Sequence, residues 1–81
     1  MPANVYPIYY IQVLRELEKG DKTKRELREK LGLPNSSIYR AIYRMQVDGL
    51  VVREQKGREE IVRITEKGKE YLETLRRLLS T

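Results

Sequence analysis

Gly20, Gly32, Gly49 and Gly57 each stand where an apolar pattern stops, so they cut the chain into short elements that must pack together to be stable. From about Pro7 to Lys19, Ile8, Ile11, Leu14 and Leu17 recur at three-residue spacing with Tyr10 and Val13 beside them, a helical stripe that Gly20 ends. Thr23-Lys24-Arg25-Glu26 has the form of a capping box. The Thr hydroxyl accepts from the Glu26 amide while the Glu carboxylate accepts from the Thr23 amide, which predicts a second helix starting there. It shows Leu27 and Leu31 and stops at Gly32, and Gly32-Leu33-Pro34 then makes a tight turn. A third helix follows from Asn35 to about Asp48, with Ile38, Ala41, Ile42 and Met45 on one face and Gly49 supplying a left-handed end. Val51, Val52, Ile61, Val62 and Ile64 lie in Leu50 to Glu54 and Glu60 to Thr65, around a polar Gln55-Lys56-Gly57-Arg58 centre, and predict a hairpin. Thr65 can cap a last helix whose stripe is Tyr71, Leu72, Leu75, Leu78 and Leu79. Gly68 occupies the third position of that helix, where a capping box would place Glu or Gln.

At 81 residues the chain has room for one domain, spanning 1–81, and a core this small is only marginally self-sufficient. It contains neither Cys nor His, which removes disulfides, thiolate and imidazole chemistry and the common zinc sites, so no metal, no cofactor and no catalytic residue is expected. The carboxylates are scattered on charged faces without a phosphate loop or an activated nucleophile, so an enzyme is not expected. Lys and Arg number 17 against 12 acidic residues, a net charge of +5, which favours a polyanionic partner. The balance of 36% charged and 40% hydrophobic residues fits a globular chain rather than a membrane span, and the N-terminus lacks the pattern of a secretory signal, so a cytoplasmic location is expected. Abundant Lys, Glu and Arg without Cys also suit a thermophile.

The order helix, helix, tight turn, helix, hairpin, helix is that of a winged helix-turn-helix. The fold expected is therefore α+β and mostly α, with a three-helix core, a two-stranded β-hairpin wing and a C-terminal helix. Ser37-Ile38-Tyr39-Arg40-Ala41-Ile42-Tyr43-Arg44-Met45 followed by Asp48-Gly49-Leu50-Val51 resembles the recognition helix and strand junction of the PadR and MarR families of transcriptional regulators. Ile61 to Lys69 is similar to their wing exit and final-helix start, and Lys24-Arg25-Glu26-Leu27 with Leu31-Gly32-Leu33 extends the match over residues 10 to 79 or so. The chain most resembles the minimal winged-helix regulators common in archaea. Sequence-specific binding to double-stranded DNA is what the resemblance implies. The His-Gly-Tyr element that often opens helix 2 in PadR proteins is missing, and no sequence feature predicts an effector pocket.

Between Glu29 and Asp48 there is no acidic residue, while Lys30, Arg40 and Arg44 fall in that window. With Ile38, Ala41, Ile42 and Met45 inward, helical spacing turns Ser36, Ser37, Tyr39, Arg40, Tyr43 and Arg44 towards solvent or its margins. Arg40 is the expected base reader, because a guanidinium matches a guanine edge in bidentate fashion. Asn35, Ser36 and Ser37 are placed to meet phosphate at the helix start, with simple capping an equal reading for Asn35. Tyr39 and Tyr43 are expected at bases or backbone, each against the plainer reading of a packed ring with a wet hydroxyl. Arg53, Lys56, Gly57 and Arg58 would let the wing reach an adjacent minor groove or its phosphates, although Glu54, Glu59 and Glu60 also fit a solvated hairpin of alternating charges. In the second helix, Lys22, Lys24, Arg25 and Arg28 are weaker phosphate candidates, since an Arg25–Glu29 pair explains much of the pattern.

Val5, Tyr6, Pro7, Ile8, Tyr9 and Tyr10 form an apolar cluster at one end, and the leucine stripe of the last helix lies at the other. A twofold homodimer is therefore expected, with Tyr6, Tyr9, Leu72, Leu75 and Leu79 at the interface and a pseudo-palindromic site on the DNA, against the plainer reading that the N-terminal segment packs over its own last helix. The competing reading is a winged-helix module that binds protein through helix 3 and never touches DNA.

Overall fold

The computed structural model describes residues 6–79, with the elements α1 (Ile8–Glu18), β1 (Lys22–Thr23), α2 (Lys24–Leu31), α3 (Asn35–Val47), β2 (Val51–Lys56), β3 (Glu59–Ile64) and α4 (Glu66–Leu79). Val5, placed in the N-terminal cluster by sequence, lies outside the described residues. The three strands form an antiparallel sheet in the order β1-β3-β2. This is the winged helix-turn-helix expected, with one addition: Lys22 and Thr23, read as a connection, pair with Val62 and Ile61 and add a third short strand. The hairpin strands also run closer to the tip than expected, because Lys56 pairs directly with Glu59 and leaves only Gly57 and Arg58 in the turn. Gly57 at the first turn position has φ +61°, the conformation that a two-residue hairpin turn of this kind demands.

The core collects the inward faces predicted from periodicity. Val13, Leu14 and Leu17 of α1, Leu27 of α2, and Ile38, Ala41, Ile42 and Met45 of α3 close over Leu50, Val51, Val62 and Leu72. Local chemistry sets the corners between these elements. Thr23 Oγ accepts from the Glu26 amide at 3.0 Å while Glu26 Oε1 accepts from the Thr23 amide at 2.8 Å, completing the capping box. That backbone amide, with the Thr hydroxyl behind it, holds the Glu26 carboxyl below the usual carboxylate range. At the other end of α2, Gly32 takes a left-handed φ of +64° and donates to the Arg28 carbonyl at 2.9 Å. Thr23→Ala removes the first of these caps and is expected to cost about 1 kcal/mol, a fall of roughly 4–8 °C in Tm that thermal melting by circular dichroism would show.

Four details differ from the sequence-based expectation. Pro34, not Asn35, is the N-cap residue of α3, and Asn35 is the first helical residue without a capping bond. Arg25 pairs with Glu59 of the wing at 3.6 Å rather than with Glu29 one turn along its own helix. Leu72, assigned to the dimer interface, is only 2% exposed within the single chain, because α4 lays it into the protomer's own core, so it has no surface to give a partner. Tyr6 is likewise engaged within its own chain. Its ring stacks on Tyr10 and meets Tyr71 of α4 edge-on, both at 5.4 Å between centroids, and its hydroxyl donates to the Asp48 carboxylate. Burial, with that acceptor beside it, pushes the Tyr6 phenol well above its ordinary value. On α4 the exposed apolar side chains are Leu78 and Leu79, with Leu75 half-buried, while Ile8 is exposed and Tyr9 half-buried on α1.

Candidate nucleic-acid interface

The α3 helix follows α2 across the Gly32-Leu33-Pro34 turn and carries its four buried side chains on one face, which leaves the opposite face uncovered. On that face Asn35, Ser36, Tyr39, Arg40 and Tyr43 are all exposed, at helical spacings that put them in one stripe. The stripe contains no carboxylate, since no Asp or Glu occurs anywhere in Asn35–Val47. Arg40 projects from its middle, and among the described residues no carboxylate lies within ion-pair distance of it. Tyr39 and Tyr43 are 49% and 56% exposed, far more than packed core rings would be. At the helix start the Pro34 carbonyl accepts from the Ser37 and Ile38 amides at 3.0 and 3.1 Å. The amides of Asn35 and Ser36 are left pointing out of the helix, where the dipole favours an anion.

The other two residues named from the sequence sit at the margins. Ser37 is half-buried. The guanidinium of Arg44 lies 5.1 Å from the centre of the Tyr6 ring and its Nε is 3.9 Å from the Asp48 carboxylate, so it faces the N-terminal segment rather than the centre of the stripe. Sequence reasoning missed the far end of the stripe: Gln46 and Val47 are exposed, Val47 by 68%. The signal was present, because these positions continue the same three- and four-residue spacing beyond Tyr43.

In the wing, the alternating-charge reading accounts for the arms but not for the tip. Arg53 is 3.5 Å from Glu60, and Arg63 bridges Asp21, at 2.8 Å, and Glu54. The Arg63 guanidinium holds the Glu54 carboxyl below its ordinary range. With Glu59 paired to Arg25, each of the wing's acids faces a base. Lys56 and Arg58 flank Gly57 at the exposed tip and have no carboxylate within ion-pair distance among the described residues. A cleft of about 290 Å³ separates the wing from the start of α2, lined by Lys24, Arg25, Arg58, Glu59 and Glu60 among others. Over the α3 side of this region, Lys24 Nζ and the Arg53 guanidinium lie 5.0 and 5.9 Å from the centre of the Tyr39 ring. Half-buried Lys24 of α2 and Arg53 of the wing thus meet at the exposed Tyr39 ring of α3, a combination suited to a polyanion alongside that helix. Among the described residues there is no cluster of side chains that could hold a metal ion, and no helix is long and apolar enough to cross a membrane.

Comparison with known proteins bears on the fold and the family. The family model of the N-terminal domain of the methanogenesis regulatory protein FilR1 matches residues 10–81. Among solved structures, the transcriptional regulator BldR from Sulfolobus solfataricus is 26% identical, with a TM-score of 0.79 over 89% of this chain and 57% of that one. A mutant MarR from E. coli, solved in complex with operator DNA, is 22% identical, with a TM-score of 0.83 over 91% of this chain and 56% of its own. A structure from Archaeoglobus fulgidus, 18% identical with a TM-score of 0.80, is matched over 94% of this chain and 89% of its own. This chain therefore spans little more than half the length of BldR and MarR. Curated protein sequences yielded no match.

Proposed function

Since this chain belongs to the family of the FilR1 N-terminal domain and has the winged-helix fold, we propose that it is a transcriptional regulator that binds double-stranded DNA in a sequence-specific manner. The observation that carries this reading is the exposed, carboxylate-free stripe of α3, with Arg40 at its centre and the basic wing tip beside it. In this reading α3 enters the major groove, where Arg40 and Tyr43 meet base edges and Asn35, Ser36 and Ser37 take phosphates. Arg44 supports the helix from its margin. Lys56 and Arg58 at the tip, with Gly57 allowing close approach, reach the adjacent minor groove or backbone. The protein works in the cytoplasm as a repressor, by occupying a promoter.

Two copies bind together, joined through Ile8 and Tyr9 of α1 and Leu75, Leu78 and Leu79 of α4, which are among the apolar side chains that the protomer leaves wholly or partly uncovered. The twofold axis sets two α3 helices about one turn of DNA apart and calls for a pseudo-palindromic site. Selection of bound sequences from random duplexes tests this reading in one step. A palindromic consensus is expected, and recovery of no consensus above background would overturn it. Lys56→Ala is expected to weaken preferred and random duplexes alike and to lower the slope of log affinity against log salt by about one. Titrations at several salt concentrations would show it.

A further inference from the structure

Tyr39 was set among the DNA-contacting side chains by its place on the helix, but its ring is already engaged. Lys24 comes from the first turn of α2 and Arg53 from β2, and the cationic groups of both lie over that one ring, at 5.0 and 5.9 Å from its centre. Both distances fall within the range at which an aromatic face attracts a cation. Neither partner arrives there by chance of a loose chain. The start of α2 is fixed by the Thr23–Glu26 capping box, and Arg53 is also paired with Glu60 at 3.5 Å.

Building on the DNA-binding role proposed above, we infer that Tyr39 is a positioning residue, whose ring gathers Lys24 and Arg53 into one preset cationic strip for the DNA backbone alongside α3. A lysine on a flexible four-carbon stem and an arginine on a strand would each have to be ordered when DNA arrives. A shared aromatic face orders them beforehand, and being attached to α3 it fixes them relative to the base-reading side chains. The contribution is to affinity for any duplex, not to the choice of sequence, because backbone charge carries no sequence information.

Two substitutions separate this role from base reading. Tyr39→Phe keeps the ring and is expected to bind preferred and random duplexes within about twofold of the parent, since the face and not the hydroxyl does the work. Tyr39→Leu keeps an apolar side chain but no aromatic face. It should lose about three- to tenfold on both kinds of duplex, with a shallower salt dependence and an unchanged ratio between them. Loss of discrimination in Tyr39→Phe, or unaltered affinity in Tyr39→Leu, would overturn the inference. A readout in the DNA-free protein keeps it separate from the DNA-binding role itself. The Lys24 side-chain methylene protons should be shifted upfield by the ring in the parent and in Tyr39→Phe, and should return to ordinary positions in Tyr39→Leu. Unshifted Lys24 protons in the parent overturn the inference whether or not duplex binds, whereas shifted protons in a protein that binds no duplex would reject the DNA-binding role and leave the ring's hold on Lys24 standing.

Discussion

Replacing Arg40 by alanine is expected to lower affinity for the preferred duplex by about 5- to 150-fold, or about 1–3 kcal/mol, while hardly changing affinity for random DNA. Arg40 stands in the middle of the exposed face of α3, with no carboxylate on its own helix and none within ion-pair distance among the described residues. Its charge is therefore unspent before DNA arrives, and its planar fork presents the paired donors that a guanine edge accepts. Arg44 makes the informative comparison. It lies one turn on, but over the Tyr6 ring and near Asp48, so Arg44→Ala should disturb the seat of the N-terminal segment more than the choice of base. Anisotropy titrations of both variants on a selected and a scrambled duplex, at one salt concentration, would separate the two roles. Equal losses on both duplexes for Arg40→Ala would show that this guanidinium meets phosphate rather than bases.

What was legible in the sequence and what was not divides along the range of the contacts. The capping box of Thr23 and Glu26, the stop of α2 at Gly32 and the inward face of Ile38, Ala41, Ile42 and Met45 depend on neighbours within a turn or two, and each is found as the sequence pattern predicts. The exposed stripe of α3 follows as the complement of that face. The details that the sequence did not show are tertiary. Whether Arg25 pairs with Glu29 or Glu59 depends on how closely the wing folds against α2, and β1 exists only because β3 passes beside Lys22 and Thr23. Leu72 and Leu75 belong to one helical stripe, but only the docking angle of α4 decides that the first is core and the second half-exposed. The gathering of Lys24 and Arg53 at Tyr39 joins three elements and has no local signature.

Gly68 is the clearest case, and its substitution should produce the largest loss of stability. From sequence it was a flaw in the capping pattern of the last helix, and helix propensity alone predicts that alanine there would stabilise by about 1 kcal/mol. The structure gives the opposite sign. Gly68 is buried, and a Cβ built on it would lie 2.3 Å from the Leu50 carbonyl oxygen and 2.7 Å from Ile64 Cγ1. That carbonyl cannot move aside cheaply, because it accepts from the Thr65 amide at 3.0 Å while the Leu50 amide donates to Met45 at 2.8 Å. Nor can Gly68 retreat freely, since its amide donates to Thr65 Oγ at 3.1 Å and Thr65 in turn donates to the Gly49 carbonyl at 2.7 Å. Glycine is thus required for the close passage of α4 over the junction of α3 and β2, not for its backbone freedom. Gly68→Ala must lift α4 and with it the seat of Leu72, so a net loss of about 2 kcal/mol or more is expected, with Tm lower by roughly 10 °C or more. Gly32→Ala supplies the contrast: nothing lies within 4 Å of its would-be Cβ, and only the left-handed φ of +64° resists, at about 1–2 kcal/mol. Thermal and urea melts at matched protein concentration would rank the two variants. A Gly68→Ala protein as stable as the parent would mean that α4 is not held against Leu50 in solution. The dimer surface proposed on Leu75, Leu78 and Leu79, which depends on where α4 sits, would then have to be redrawn.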